Sequence, residues 1–265
     1  MKIGIVGLGV VGKAYYNGLK SLGHKVIKHD KKLNTKIHNL LDTRVIFICV
    51  STPSKKNGEC DIVQIHNVLE ELNVLNYQGV AVISSTLIPG STDKFIKKFK
   101  KLRIVNVPEL LRERFAKRDF INPKVIVIGS KNKRNFKVVF NIYRKLTKNI
   151  IKMKPYEAEL FKYFNNTFAS IRIIFANIFY ELCKKNNSNY TLIKNTYIKT
   201  GKAKDVYLNV NKNLRGYGGV CLPKDTLALA VYIKKLKLNY NLISSIHSDN
   251  KKIKTTVFKG MRLKS

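Results

Sequence analysis

The chain begins with MKIGIVGLGVVG (residues 1–12), which carries the clearest signal for a fold. An apolar segment runs directly into the pattern Gly-x-Gly-x-x-Gly, and the helix-like stretch 13–22 follows. In such a pattern Gly7 makes a tight turn, Gly9 lets the backbone approach a pyrophosphate, and Gly12 lets the helix pack closely on the strand. Strand, turn and helix in this order predict a dinucleotide-binding domain. The cofactor contacts expected in this turn are Gly7, Gly9, Val10, Val11 and Gly12.

An acidic residue follows the second predicted strand, residues 25–29. Asp30 lies about 20 residues beyond the glycine turn, where a carboxylate binds the ribose hydroxyls of NAD. Lys31 and Lys32 follow it and could instead accept the 2′-phosphate of NADP. We expect NAD, with Asp30 as the ribose ligand.

Composition sets the outer limits. A chain of 265 residues, 45% apolar and 25% charged, has the balance of a globular protein with one large or two moderate domains. It shows no signal peptide and no stretch long enough to span a bilayer, so we expect a cytoplasmic protein. The cysteines have neither paired nor metal-ligand spacing, which predicts reduced thiols and no metal site. They are Cys49, Cys60, Cys183 and Cys221.

The charge balance is unusual, with 51 Lys and Arg against 16 Asp and Glu, a net charge of +35. Such an excess is typical of proteins that bind nucleic acid. The lysines are, however, scattered through every segment, often beside Asn and Ile, and form no basic arm. This pattern favours compositional bias over nucleic-acid binding. A positive field would also attract an anionic substrate.

Strand and helix patterns alternate through the first half of the chain. The predicted strands include 44–50, 79–84, 103–107 and 124–128, and polar loops follow the first three. Alternation of this kind predicts an α/β fold, a Rossmann-type doubly wound parallel sheet. Because such sheets bind ligands at the carboxyl ends of their strands, residues in these loops are expected to contact the cofactor. They are Val50, Ser51, Thr52, Ser85 and Thr86.

From residue 155 onward, helical periodicity replaces the strand patterns. The stretch 157–182 predicts a long helix, on which Lys162 and Asn166 lie four residues apart on one face. Nearby apolar residues are predicted to belong to the core rather than to a subunit interface; they are Leu160, Phe161, Phe164 and Phe168. We therefore expect an NAD-binding domain at 1–154 and, at 155–265, the long helix with a smaller all-helical domain.

The segment GYGGVCLPKD (216–225) carries the strongest chemical signal. Cys221 follows flexible glycines, and Lys224 and Asp225 lie within one helical turn after it. A cysteine in this setting is expected to be an activated thiolate. The segment thus predicts covalent catalysis, with a helix at 225–235.

Taken together, these motifs resemble the UDP-glucose/GDP-mannose dehydrogenase family. The resemblance implies oxidation of the C6 alcohol of a nucleotide sugar, UDP-glucose by preference, to a carboxylate with two NAD. It covers nearly the whole chain through six motifs in order: 7–12, 50–54, 85–92, 106–129, 157–166 and 216–229.

The resemblance also assigns roles. Cys221 matches the nucleophile that captures an aldehyde between two hydride transfers, and Lys162 and Asn166 match groups that stabilise oxyanions. Glu109 matches the general base for thioester hydrolysis, and Lys224 and Asp225 match residues that support the cysteine and the water. Residues lining the cofactor and reaction centre include Thr86, Glu113 and Lys224. The implied substrate contacts are Glu109, Leu110, Leu111, Lys162, Asn166, Tyr217 and Gly218.

The chain departs from the family pattern in three ways. Family members usually continue into a third domain that binds the nucleotide, so that half-site would be missing or supplied by a separate chain. An arginine that in the family reaches across the dimer is absent from 203–214, and Arg215 lies too close to the turn to match it. Val220 stands where serine is usual.

The resemblance further implies a homodimer formed through the long helix.

Three alternatives remain. A two-electron 3-hydroxyacid dehydrogenase would need the first domain and a lysine on the long helix, but not Cys221. An inactive, truncated paralogue would bind only NAD or a partner. A nucleic-acid-binding protein would show steep salt dependence and no role for Cys221.

Overall fold

The structure, a computed structural model, describes residues 1–256. These residues form two compact units, which are described separately. The first comprises residues 1–55 and 60–162, and the second comprises residues 56–59 and those from Tyr163 onward. The predicted domain division after residue 154 stays a prediction.

A seven-stranded sheet in the order β2-β1-β3-β4-β5-β6-β7 forms the first unit. Helices flank it, which confirms the predicted doubly wound α/β fold. The elements are β1 (Lys2–Val6), α1 (Val10–Ser21), β2 (Lys25–His29), β3 (Val45–Ile48), α2 (Val63–Val74), β4 (Val80–Ile83), α3 (Ser91–Lys98), β5 (Arg103–Asn106), α4 (Ala116–Ile121), β6 (Ile126–Gly129), α5 (Lys133–Tyr143), β7 (Ile150–Met153) and the start of α6 (Pro155–Lys185).

The sheet differs from the prediction at one end. Strands β1 to β5 all run parallel to one another, but β6 pairs antiparallel with β5 through Gly129 and Asn106. Strand β7, which the sequence did not predict, pairs parallel with β6. Its side chains are half-buried or exposed, as expected at a sheet edge, so its sequence lacks the apolar run that marked β3 and β4.

Both faces of the sheet are covered, which explains the continuous apolar runs. In β3, Val45 and Phe47 face the cluster formed with α1, α4 and α5, whereas Ile46 and Ile48 face the cluster formed with α2 and α3. All four side chains are fully buried. Alternate side chains of a strand point to opposite faces, so a strand covered on both sides must be apolar at every position.

The glycine turn after β1 tolerates no side chain at its last position. A Cβ on Gly12 would lie 1.8 Å from the carbonyl oxygen of Gly7, which itself has a φ of +88°. We predict that Gly12→Ala lowers the free energy of unfolding by at least about 2 kcal/mol, because backbone must move to relieve the clash. Chemical denaturation measures this loss. Gly9→Ala, whose φ is −65° and whose Cβ would meet no atom within 4 Å, is the matched control; an equal loss in both variants would contradict the prediction.

The second unit consists mainly of helices. They are α6 from Tyr163 onward, α7 (Tyr190–Lys199), α8 (Cys221–Lys235) and α9 (Leu242–Lys252). Helix α8 begins at Cys221, one turn earlier than predicted. Residues 56–59 join this unit, because Gly58 packs against Leu227 and Glu59 forms an ion pair with Lys235, both on α8.

The long helix α6 presents an apolar stripe to solvent. The prediction that Phe164 and Phe168 belong to the core is wrong, since 68% and 43% of their surfaces are exposed. The buried face of α6 is formed instead by residues such as Tyr163, Ile173 and Ile174. The exposed stripe comprises Phe164, Phe168, Phe175, Ile178, Phe179 and Leu182. Within residues 1–256, no helix combines the length and apolar character needed to cross a membrane.

Candidate active site

The N-terminus of helix α1 is suited to bind an anion. Gly9 is the N-cap residue, its position provides no side-chain cap, and a Cβ on Gly9 would meet no atom within 4 Å. The backbone N–H groups of Val10 and Val11 lie at this helix end, where the helix dipole favours negative charge. This geometry fits a dinucleotide pyrophosphate.

Asp30 lies directly beside the glycine turn. Its carboxylate accepts hydrogen bonds from the backbone N–H groups of Lys32 (2.9 Å) and Leu8 (2.7 Å). These two bonds hold the pKa of Asp30 below its usual range, so the residue is anionic at neutral pH. Each carboxylate oxygen can accept a second hydrogen bond, which makes Asp30 competent to receive one from a ribose hydroxyl.

The loops that follow β3 and β4 are bonded to each other. The Ser85 hydroxyl donates to the carbonyl of Val50 at 2.6 Å, and the buried thiol of Cys60 contacts the carbonyls of Thr52 and Thr86 at 3.8 and 3.7 Å. Ser51 lies in the same loop and accepts a bond from the amide of Gln64 at 3.4 Å. The structure thus brings together these predicted cofactor residues, although the hydroxyl of Ser85 binds protein backbone.

A buried carboxylate that the sequence did not single out holds the second of these loops. Glu159, on α6, accepts bonds from the N–H of Gly90 (2.5 Å) and from both the N–H (2.7 Å) and hydroxyl (2.6 Å) of Thr92. Burial raises the pKa of Glu159, while these bonds oppose that rise. Glu159 thereby caps the start of α3 and fixes the end of the loop 85–92. In the sequence, the role of Glu159 is indicated only by the position of a glutamate among the apolar residues of a helix face.

Glu109 and Lys162 form a buried ion pair in the first unit. The Lys162 ammonium lies 3.0 Å from the Glu109 carboxylate and 2.6 Å from its carbonyl oxygen, and the two side chains are only 5% and 9% exposed. The other carboxylate oxygen accepts the N–H of Leu111 at 2.8 Å. Leu110 is half-buried beside it, and Glu113 begins a short 3-10 helix just beyond. Two predicted catalytic groups from distant parts of the chain therefore meet.

A second cluster of predicted residues lies in the second unit. Asp225 is fully buried, and its carboxylate accepts bonds from the Asn166 amide (2.6 Å) and the Lys224 ammonium (2.6 Å). Asn166 is one turn after Lys162 on α6, as predicted. Lys224 contacts Asp225, and its predicted place at the cofactor stays a prediction.

Cys221 is the first residue of α8, one turn before Asp225. It is exposed, whereas Cys49, Cys60 and Cys183 are buried, and burial strongly raises the pKa of the Cys49 thiol. The positive end of a helix dipole stabilises an anion, so the position of Cys221 suits a thiolate. Just before it, Tyr217 is buried and Gly218 is half-buried. Within the described part of the chain, no group of three His, Cys, Asp or Glu residues is arranged to hold a metal ion.

Comparison with known proteins matches both halves of the chain to one family. Residues 31–147 match the NAD binding domain of the UDP-glucose/GDP-mannose dehydrogenase family, and residues 156–252 match its central domain. The chain belongs to this family. The predicted family and the predicted NAD-binding domain are thus confirmed.

Individual relatives agree. The chain is 32% identical to a UDP-glucose 6-dehydrogenase of Rickettsia bellii, over 86% of this chain and 54% of that protein. It is 27% identical to a GDP-mannose 6-dehydrogenase of Pseudomonas aeruginosa, over 94% and 68%. A solved UDP-glucose dehydrogenase of Pyrobaculum islandicum has the same fold, with a TM-score of 0.87 at 24% identity, over 95% of this chain and 68% of that one. The chain spans about half the length of the first of these relatives.

Proposed function

We propose that this chain carries out the NAD-dependent, four-electron oxidation of the C6 alcohol of a nucleotide sugar, with UDP-glucose as the preferred substrate and UDP-glucuronate as the product. The observation that carries the proposal is Cys221, an exposed thiol at the start of α8, one turn before the Asp225 cluster. A two-electron alcohol dehydrogenase needs no such nucleophile. The choice of UDP-glucose rests on the relatives that bear that name.

The cofactor is held by the first unit. The N–H groups at the start of α1 would hold the pyrophosphate, and Asp30 would accept bonds from the ribose hydroxyls. The loops after β3 and β4 would supply further contacts to the cofactor. NAD, when bound, supplies the acceptor for each hydride.

Residues of the two clusters handle charge and protons. As the C6 alcohol loses a hydride and a proton to become an aldehyde, the ammonium of Lys162 and the amide of Asn166 stabilise the negative charge on its oxygen. Glu109 holds the Lys162 ammonium in place through their ion pair. Glu109 also serves as the general base for water in the final step.

Cys221 divides the second oxidation into two easier steps. Its thiolate forms a C–S bond to the aldehyde carbon, and the oxygen takes a proton to give a thiohemiacetal. Loss of a second hydride and of that proton gives a thioester. Water adds to the thioester carbonyl, the C–S bond breaks, and the carboxylate product leaves with the thiolate restored. Because this cycle needs a reduced thiol, we assign the reaction to the cytoplasm.

The proposal is tested by counting NADH. Purified protein is incubated with NAD and a panel of UDP- and GDP-sugars, and NADH formed is compared with sugar consumed. Two NADH per sugar, with carboxylate as the product, support the proposal. One NADH per sugar with an unaffected Cys221→Ser variant would identify a two-electron dehydrogenase instead. Absence of turnover on every sugar, with NAD binding intact by calorimetry, would identify a protein that only binds NAD.

We also propose that two copies of the chain pair through the apolar stripe of α6. Six large apolar side chains are exposed along one face of α6, and a contiguous exposed apolar patch often marks a protein–protein interface. We predict a dimer that Phe175→Glu converts to monomer, because a carboxylate in such an interface would lose its water without a partner. Light scattering after size-exclusion chromatography measures the mass. Val74→Glu, which alters an exposed apolar residue on α2, is the control and should remain dimeric; a monomeric wild-type protein would contradict the proposal.

A further inference from the structure

Asn250, on α9, is bonded to the segment that precedes Cys221. Its amide oxygen accepts the backbone N–H of Tyr217 at 2.7 Å, and its amide nitrogen donates to the carbonyl of the same residue at 2.9 Å. The Asn250 side chain thus pairs with both the N–H and the carbonyl of Tyr217, as a neighbouring β-strand would. Both residues are buried, and the phenol of Tyr217 also donates to the carbonyl of Ile246 at 3.5 Å. The pair fixes the segment against α9.

Asn177, on α6, holds the preceding residues. Its amide oxygen accepts the side-chain Nε of Arg215 at 2.8 Å and the N–H of Gly216 in a longer contact of 3.4 Å. Its amide nitrogen donates to the carbonyl of Ile173 at 2.8 Å, which fixes the orientation of the amide. The Arg215 guanidinium also pairs with Glu181. Arg215 is therefore bound within its own chain, to α6.

Glycines within residues 215–217 and just after them give the chain that leads to Cys221 more conformational freedom. Gly216 and Gly219 have φ angles of +43° and +77°, a region that favours glycine, and glycine loses more conformational entropy on ordering than any other residue. Rotation in this segment would move the start of α8. Contacts that fix residues 215–217 consequently restrict where Cys221 lies.

We propose that Asn250 and Asn177 are positioning residues for Cys221: the two buried amides clamp residues 215–217 from α9 and α6 and thereby fix the thiol at the start of α8. The inference deepens the proposed function, on which it rests for the role of Cys221. The position of a thiol can nevertheless be measured without turnover. We call this pair of amides the amide clamp.

The test compares wild type with Asn250→Ser and Asp249→Ser in the full chain. Asp249 neighbours Asn250 on α9 but pairs with Lys252, so it is the matched control. Cys221 is labelled with iodoacetamide in the folded protein, and its rate is followed by mass spectrometry of the peptide, since the other thiols are buried. Exchange of the Tyr217 amide hydrogen and, where turnover is measurable, kcat and the KM for NAD complete the set.

We expect Asn250→Ser to change the labelling rate of Cys221 at least about threefold and to speed exchange at Tyr217, while Asp249→Ser leaves both unchanged. We expect kcat to fall about tenfold or more with the KM for NAD unaltered, because misplacement of a reacting group affects the chemical step. An unaltered labelling rate and unaltered exchange in a folded Asn250→Ser protein would overturn the inference. The inference would also be overturned if kcat fell and the KM for NAD rose by the same factor.

If Asn250→Ser does not fold, Asn250→Asp decides by the same criteria. It keeps the oxygen that accepts the Tyr217 N–H and loses the donor to the Tyr217 carbonyl, so its labelling rate must also depart from wild type. If wild type shows no turnover while labelling and exchange change as expected, the clamp is supported and the proposed oxidation is not. The two failures are therefore distinguishable.

Discussion

Serine in place of Cys221 should lower kcat for sugar oxidation by at least about a thousandfold. A hydroxyl is only weakly nucleophilic at neutral pH, and an oxygen ester would hydrolyse more slowly than a thioester, so both the capture of the aldehyde and the release of the acid should slow. NAD affinity should stay the same, because the predicted cofactor contacts of the glycine turn and Asp30 lie in the first unit. Initial rates of NADH formation and calorimetric NAD binding measure the two quantities.

A buried cysteine of the same unit provides the control for Cys221→Ser. Cys183→Ala removes a buried thiol on α6 and should leave kcat within about twofold of wild type. Retention of more than about a tenth of wild-type kcat in Cys221→Ser would exclude the cysteine as an obligatory nucleophile.

Lys162→Met should lower both stability and activity, since it leaves the Glu109 carboxylate buried without its ammonium partner. Breaking a buried ion pair in this way costs about 3–5 kcal/mol, and we expect a loss of that order in the free energy of unfolding. The second change, Glu109→Gln, removes the uncompensated charge, so the double variant should recover part of the loss. Denaturant titrations of the four proteins measure the coupling.

An exposed ion pair in the same unit is the matched control for Lys162. Lys131 pairs with Asp93 at 2.8 Å, with its side chain 57% exposed, and Lys131→Met should cost less than about 1 kcal/mol. If Lys162→Met proves no more destabilising than Lys131→Met, the buried Glu109–Lys162 pair does not contribute to stability. For activity, we expect kcat of Lys162→Met to fall about a hundredfold or more.

Much of the fold could be predicted because strong local signals agreed with one another. The glycine turn identified the first strand and helix, and continuous apolar runs identified β3 and β4. Strand β7 was not predicted, because it lies at the edge of the sheet, where its side chains are half-buried or exposed and need not be apolar. Likewise, helical periodicity showed that Phe164 lies on an apolar face of α6, but periodicity alone does not say which of two apolar faces packs inward.

The site could be predicted as far as reactive side chains mark it. Lys162 and Glu109 were assigned their roles by the family resemblance, and the structure brings them together. Glu159, Asn177 and Asn250 were missed because they act by binding backbone groups of distant segments. An asparagine in a helix has no local pattern that separates a clamp from a solvated side chain. Such residues emerge only when long-range contacts are known.

The loop 56–59 has a consequence for how this chain is made. Its partners Leu227 and Lys235 are translated long after it. During synthesis the strands on either side of the loop in sequence can therefore assemble into the sheet before the loop can make its own contacts. Cutting the gene at the boundary inside α6 would also leave Gly58 and Glu59 on one polypeptide and helix α8 on the other. The second unit is therefore discontinuous along the chain, and no single cleavage yields both units intact.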